Sequence, residues 1–184
     1  MSRITPVALV PVAVRSVARL LSLALAVGAL TAAPVDARAE VRKGDRAADF
    51  VHAVDASGKR VSLRSFADRV VVMTFGASWC EPCKRELPAM EKLARTYQQR
   101  RAAVVFLAVN IDNEPAKGKK FMQQAGLRAV HAIFDSSKST VESYDPPKMP
   151  STFVIRGGVV RHVHAGFSPG DESSLAAAID RELK

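Results

Sequence analysis

The sequence predicts an α/β fold: a mixed central sheet flanked by helices, with an N-terminal β-hairpin extension. Three observations carry this. Residues 70–75 and 103–109 are short, β-branched apolar runs, the pattern of strands buried on both faces. Between them, residues 81–100 place Leu87, Met90, Leu93, Ala94 and Tyr97 three and four apart, the spacing of an amphipathic helix. Later, two more apolar runs flank Gly157-Gly158, a strong hairpin signal. Strand, helix and strand in succession imply a parallel pair joined by a crossover. The late hairpin adds antiparallel strands to the same sheet.

Taken in order, residues 41–48 form an extended lead-in without a periodic apolar face. Residues 50–54 and 60–63 flank Asp55-Ala56-Ser57-Gly58, which predicts the early hairpin. The first buried strand and the long helix follow. After the second strand, residues 115–124 read as a helix, with Asn113 as its cap and Pro115 in its first turn. Residues 129–134 are apolar but fit helix or strand equally. Residues 137–144 read as a short helix, 152–155 and 159–163 as strands, and 171–183 as a closing amphipathic helix.

The chain has 184 residues and a formal net charge of +9, which suits one domain and a short appendage. The appendage is at the front. Residues 1–19 carry Arg3, Arg15 and Arg19 and no acid; residues 20–33 are uncharged and mostly Leu, Ala and Val. Ala37-Arg38-Ala39 then places small residues where a signal peptidase cuts. Basic head, short apolar middle and small-x-small end make a secretory signal. The apolar middle falls short of the roughly 20 residues that span a bilayer, although residues 7–14 would lengthen it into an uncleaved membrane anchor. Residues 1–39 are therefore read as a signal peptide and 40–184 as the mature domain, facing the periplasm or cell envelope. Lys and Arg are dispersed without an aromatic platform, which argues against a nucleic-acid partner. The run Lys117-Gly118-Lys119-Lys120 reads as a solvated helix face.

The chain has two cysteines, Cys80 and Cys83. In an exported protein such a pair is a disulfide, a redox couple or part of a metal site. Its position decides among these. Cys80-Glu81-Pro82-Cys83 sits where a buried strand ends and a long helix begins. A helix N-terminus presents unpaired N–H groups and a partial positive charge, which lower a thiol pKa. Cys80 is thus the expected nucleophile and Cys83, one turn on, the resolving thiol. Trp79 directly before them is expected to shield the site. A staple between residues so close would remove little chain entropy. His52, His131, His162 and His164 do not fall at zinc-finger spacing from the pair, and Lys84 stands where haem attachment needs a histidine. No metal and no cofactor beyond the Cys80–Cys83 disulfide are expected.

Glu86 lies three residues after Cys83 and shares its helix face. A carboxylate there can take and return a proton as the thiol ionises, and it raises the pKa of a neighbouring thiol. The alternative is an exposed helix glutamate paired with nearby basic side chains.

With these residues in place, the sequence resembles the thioredoxin superfamily and, within it, the TlpA/ResA-like branch of exported thiol–disulfide oxidoreductases. The resemblance spans about residues 44–183. It rests on residues 72–88, which contain Trp79, Cys80, Glu81, Pro82, Cys83, Lys84, Glu86 and Pro88, and on Met149-Pro150-Ser151-Thr152-Phe153. It implies a thioredoxin-like fold. It implies that Pro82 and Pro88 support the helix, Pro88 by removing one N–H and bending it. It implies that Pro150 is the cis-proline facing the disulfide, with Met149 offering its backbone to an extended substrate. It also ties Glu86 to active-site acid–base behaviour. Two positions depart from the pattern: Thr74 stands where thioredoxin carries a buried Asp, and Gly76 where an aromatic is usual.

The direction of electron flow follows from local charge. Glu81 disfavours a Cys80 thiolate, while Lys84 and Arg85 favour it. A less stabilised thiolate makes the couple more reducing. The expected activity is reduction of disulfides in substrate proteins, with a membrane electron donor and the protein acting as a monomer. The resemblance implies apocytochrome c or copper-delivery cysteines as substrates. The alternatives are a disulfide oxidase or isomerase, and a non-enzymatic copper-binding module using both thiolates and a distant histidine. A peroxidase would need Thr and Pro upstream of a cysteine, and Ala77 and Met73 stand at those places before Cys80.

Overall fold

The computed structural model describes residues 40–184, so the expected signal segment lies outside the described residues. The elements are β1 (Val54–Asp55), a 3-10 turn (Leu63–Phe66), β2 (Val70–Gly76), α1 (Glu81–Gln99), β3 (Val104–Asn110), α2 (Pro115–Gln124), β4 (Val130–Phe134), α3 (Ser139–Tyr144), β5 (Ser151–Arg156), β6 (Val159–Ala165) and α4 (Asp171–Glu182). The sheet runs β1-β4-β3-β2-β5-β6. β2 pairs parallel with β3 and antiparallel with β5, so the crossover and the late hairpin meet on the central strand. Residues 129–134, open between helix and strand in the sequence, are β4, parallel to β3.

Strand alternation sorts the core into two layers. Val71, Met73, Phe75, Leu107, Phe153 and Ile155 face a layer closed by Tyr144 of α3, Val41 of the lead-in, Leu63 of the 3-10 turn, and Phe50. Val70, Val72, Phe106, Ala108 and Val154 face the opposite layer. There they meet Leu87, Met90 and Ala94 of α1, Phe121 and Met122 of α2, and Leu175 and Ile179 of α4. Every residue of β2 is buried, as its continuous apolar run requires.

One local expectation, the cap of α2, is revised. The N-cap of α2 is Glu114, not Asn113, and it makes no side-chain cap bond; its carboxylate instead holds Lys117 at 2.6 Å. In the region expected as the early hairpin, Val54 bridges Arg60 around the Asp55 turn, and Val54–Asp55 pairs with β4. Asp49 accepts the Leu63 N–H at 2.6 Å and the Ser62 hydroxyl at 2.8 Å, where Ser62 is the extended cap and Leu63 the first residue of the 3-10 turn.

Candidate active site

The site forms where β2 hands over to α1. Cys80 is the N-cap of α1, with extended backbone. Its Sγ accepts the Cys83 N–H at 3.3 Å, one of the orphan donors of a helix start. Cys80 and Cys83 form a disulfide with Cα atoms 5.3 Å apart, and both are buried. Pro82 sits in the first turn, where its missing N–H costs nothing. Pro88 lies inside α1 and cannot donate to the Lys84 carbonyl. Trp79, expected to shield the sulfurs, is 62% exposed and presents its indole largely to solvent.

The loop before Cys80 is pinned by a residue that sequence reasoning missed. Buried Asp112, just after β3, accepts the Ser78 N–H at 2.9 Å and the Ser78 hydroxyl at 2.8 Å. The Asn110 amide donates to the same carboxylate at 2.8 Å. Asn110 lies so close to α2 that a Cβ on Gly118 would stand 2.1 Å from its Oδ1. Glycine inside the basic run is therefore demanded by packing. Gly76, the other departure from the pattern, backs onto the Cys83 side chain, with Phe121 of α2 alongside.

The Met149–Pro150 peptide is cis. Pro150 is buried and Met149 half-buried, and the Pro150 carbonyl accepts the Gly166 N–H at 2.7 Å.

Glu86 is buried, at 2% exposure, which excludes the exposed ion-pair alternative. Its two oxygens accept the hydroxyls of Thr74 at 2.8 Å and Thr152 at 2.7 Å. Burial pushes its carboxyl up to about 7, against the opposing pull of the Thr152 and Thr74 hydroxyls. Glu81, by contrast, is exposed and forms an ion pair with Lys84; the hydrogen bond from Lys84 and its charge lower the Glu81 carboxyl. The charge that the sequence sets against the Cys80 thiolate is thus largely met by its own neighbour.

None of the four histidines lies on β2 or α1, but His164 stands opposite Thr152 of β5 in the ladder. His162 and His164 stack on β6 with ring centroids 6.5 Å apart, and His164 meets Asp171 at 2.9 Å. His52 meets the Arg60 guanidinium at 3.2 Å, and His131 is exposed on β4. Among the described residues, no three His, Cys, Asp or Glu side chains gather in a geometry that would hold a metal ion.

A CxxC disulfide at the head of a helix, on a six-stranded mixed sheet with a cis-proline, defines a thioredoxin-like thiol–disulfide oxidoreductase. Residues 42–179 match the Redoxin family model, and the chain belongs to that family. It is 31% identical over 125 residues to the thiol-disulfide oxidoreductase ResA of Bacillus subtilis, covering 67% of this chain and 68% of that one. It is 32% identical over 127 residues to ResA of Geobacillus thermodenitrificans, covering 68% and 71%. A crystal structure from Chlorobium tepidum, described as a candidate DsbE thiol:disulfide interchange protein, superposes with a TM-score of 0.71. Its identity is 33%, over 79% of this chain and all of that one. StoA of Bacillus subtilis, at 22% identity and a TM-score of 0.59, shares the fold. The protein is a ResA-like thiol–disulfide oxidoreductase acting on proteins that carry disulfides or dithiols.

Proposed function

We propose that the protein is an exported reductase of substrate disulfides. In the reduced form, the Cys80 thiolate attacks a substrate disulfide, joining Cys80 to one substrate sulfur and releasing the other as a thiolate. Cys83 gives its proton to the Glu86 carboxylate and attacks Cys80 Sγ. The Cys80–Cys83 disulfide forms, the second substrate sulfur leaves as a thiolate that takes the proton back from Glu86, and two electrons have passed to the substrate. The disulfide is the whole redox centre. The exposed Trp79 indole and the Met149 backbone beside cis-Pro150 are the docking surface for an extended substrate segment.

The observation that carries the reducing direction is the buried carboxylate of Glu86, one helical turn from Cys83. Ionised, it disfavours a second negative charge on the dithiol, and a couple whose thiolate is poorly stabilised is reducing. This support is firmer than Glu81, whose charge Lys84 meets. The basic, apolar, small-residue order of residues 1–39 supports export. Among the described residues no helix is long and apolar enough to cross a membrane. In this reading a membrane protein re-reduces the disulfide, the domain works as a monomer, and the substrates are cysteines awaiting haem or copper.

Equilibrium titration against dithiothreitol and glutathione tests the direction. A midpoint well below that of the glutathione pool is expected. One near about −120 mV, the range of strong periplasmic oxidants, would overturn the reductase reading. Trapping with Cys83→Ser leaves the mixed disulfide on Cys80 unresolved and identifies the substrate; Cys80→Ser should trap nothing and lose insulin reduction.

A further inference from the structure

We propose that Thr74 and Thr152 form a hydroxyl clamp that positions Glu86 and keeps its carboxyl free to change protonation state beside the dithiol. This rests on the reading of Glu86 as proton carrier. The two threonines are 78 residues apart in sequence but stand directly opposite each other on β2 and β5. Their neighbours in the same ladder are Met73 opposite Phe153 and Val72 opposite Val154. Thr74 and Thr152 are each 1% exposed. By strand alternation they share the face of Val72 and Val154, which packs against α1. Valine has nearly the same shape and would suit this apolar layer without burying a hydroxyl. The hydroxyls therefore serve something other than packing: each meets one oxygen of Glu86, and the Thr74 hydroxyl also has the Ser151 carbonyl within reach at 3.4 Å, an acceptor for its own proton when it accepts from a protonated Glu86.

The donor type matters. A backbone N–H or a guanidinium can only donate, so it fixes a carboxylate in its ionised form. A hydroxyl donates and accepts. When Glu86 is ionised, both hydroxyls donate to it. When Glu86 takes the Cys83 proton, one hydroxyl turns to accept the new O–H. The clamp thus keeps a partner in both states, and the side chain need not move as the proton passes. Glu86 shares a helix face with Cys83 and meets Thr74 of β2 and Thr152 of β5; behind Thr152 stands the titratable His164 of β6, itself paired with Asp171 of α4, and α4 adds Leu175, Ala178 and Ile179 to the layer. Burial and the two hydroxyls are what act on its proton affinity. Thr152 also lies two residues beyond cis-Pro150 on β5, so the strand that leads out of the proposed docking loop also orients the proton carrier.

The test is Thr74→Val, Thr152→Val and the double variant, with Thr→Ser at both positions as the rescue. The first readout is the titration of the Glu86 carboxyl by carbon NMR on glutamate-labelled oxidised protein, assigned with Glu86→Gln. The expected result is a midpoint raised by roughly one pH unit per lost hydroxyl, restored by serine. An unmoved midpoint in folded valine variants would overturn the clamp. If the double variant does not fold, the single Thr152→Val decides by the same criterion. The second readout is the pH dependence of insulin reduction. Its inflection should move with the NMR midpoint; a uniform loss of rate with the inflection in place would also overturn the proposal. A wild-type inflection that survives Glu86→Gln would instead sink the proton-carrier reading, and the NMR result would still stand as a measure of the clamp.

Discussion

Two buried glutamates lie on α1, five residues apart, and their surroundings make them opposites. Glu86 is 2% exposed and Glu91 5%. Glu86 meets two hydroxyls. Glu91 accepts the backbone N–H groups of Arg128, Ala129 and Val130 at 2.9 to 3.1 Å, and Arg95 holds it at 2.7 Å. Burial pushes both carboxyls up. For Glu91, the Arg128 N–H, the Arg95 guanidinium and the Ala129 and Val130 N–H groups outweigh burial and hold it below the usual range. For Glu86, burial wins. Glu91 is a fixed anion that ties the start of β4 to α1, whereas Glu86 holds a proton it can give up near neutral pH. Residue type and helix are shared; the difference lies in the partners and in depth, since Glu86 is enclosed by the core whereas Glu91 opens toward the half-exposed Arg95.

The comparison is broken most forcefully at Glu91. Glu91→Ala strands three donors at the head of β4 and should cost about 3–5 kcal/mol, as losing one side of a buried charged cluster does. Urea unfolding measures it, and the inflection of insulin reduction with pH should stay where it is. A loss below 1 kcal/mol would mean that water replaces the carboxylate and Glu91 is no anchor.

The next effect is a stability that depends on pH through Glu86. Folded, Glu86 keeps its proton up to about 7, against an ordinary value of 4.5. Between those limits the folded chain binds the extra proton, so stability falls as pH rises and the loss is complete above 7. At about 1.4 kcal/mol per unit, that amounts to about 3 kcal/mol. Glu86→Gln should flatten this slope in unfolding curves taken from pH 4.5 to 8. Equal slopes in both proteins would place the titration elsewhere. Glu91 acts with the opposite sign, its contribution being lost as pH falls below the ordinary carboxylate range.

The smallest effect is expected at Arg95, which is half exposed where it meets Glu91. Arg95→Ala should cost about 0.5 kcal/mol, because the backbone N–H groups remain. A cost approaching that of Glu91→Ala would shift the anchor from the backbone to the ion pair.

The sequence made the strand–helix junction plain, because a β-branched run followed by Cys-x-x-Cys and a periodic helix has few other readings. It also pointed to Glu86, through its spacing from Cys83. It did not reveal that Glu86 is buried or that Thr74 and Thr152 hold it, since that contact depends on the register of two strands distant in the chain. Thr74 stood out only as the absence of an aspartate. Glu91 went unnoticed, although a glutamate beside Met90 on the apolar face of a helix is itself a signal of a buried partner. Asp112 was hidden for the same reason as the clamp: its partner Ser78 belongs to another loop. Where local chemistry decided, as in the Gly157-Gly158 hairpin, the elements fell within a residue or two of expectation. Where one carboxylate could compete, as Asp49 does at Leu63, the expected extended arm stops at Ser62 and a 3-10 turn begins.

Trp79 has a practical consequence. It is the single tryptophan of the chain, it is mostly exposed, and it adjoins the sulfur that exchanges. All indole fluorescence of the protein therefore originates beside Cys80. An emission change on reduction of the disulfide is the expected label-free signal at that spot, and stopped-flow recording is the measurement that follows it.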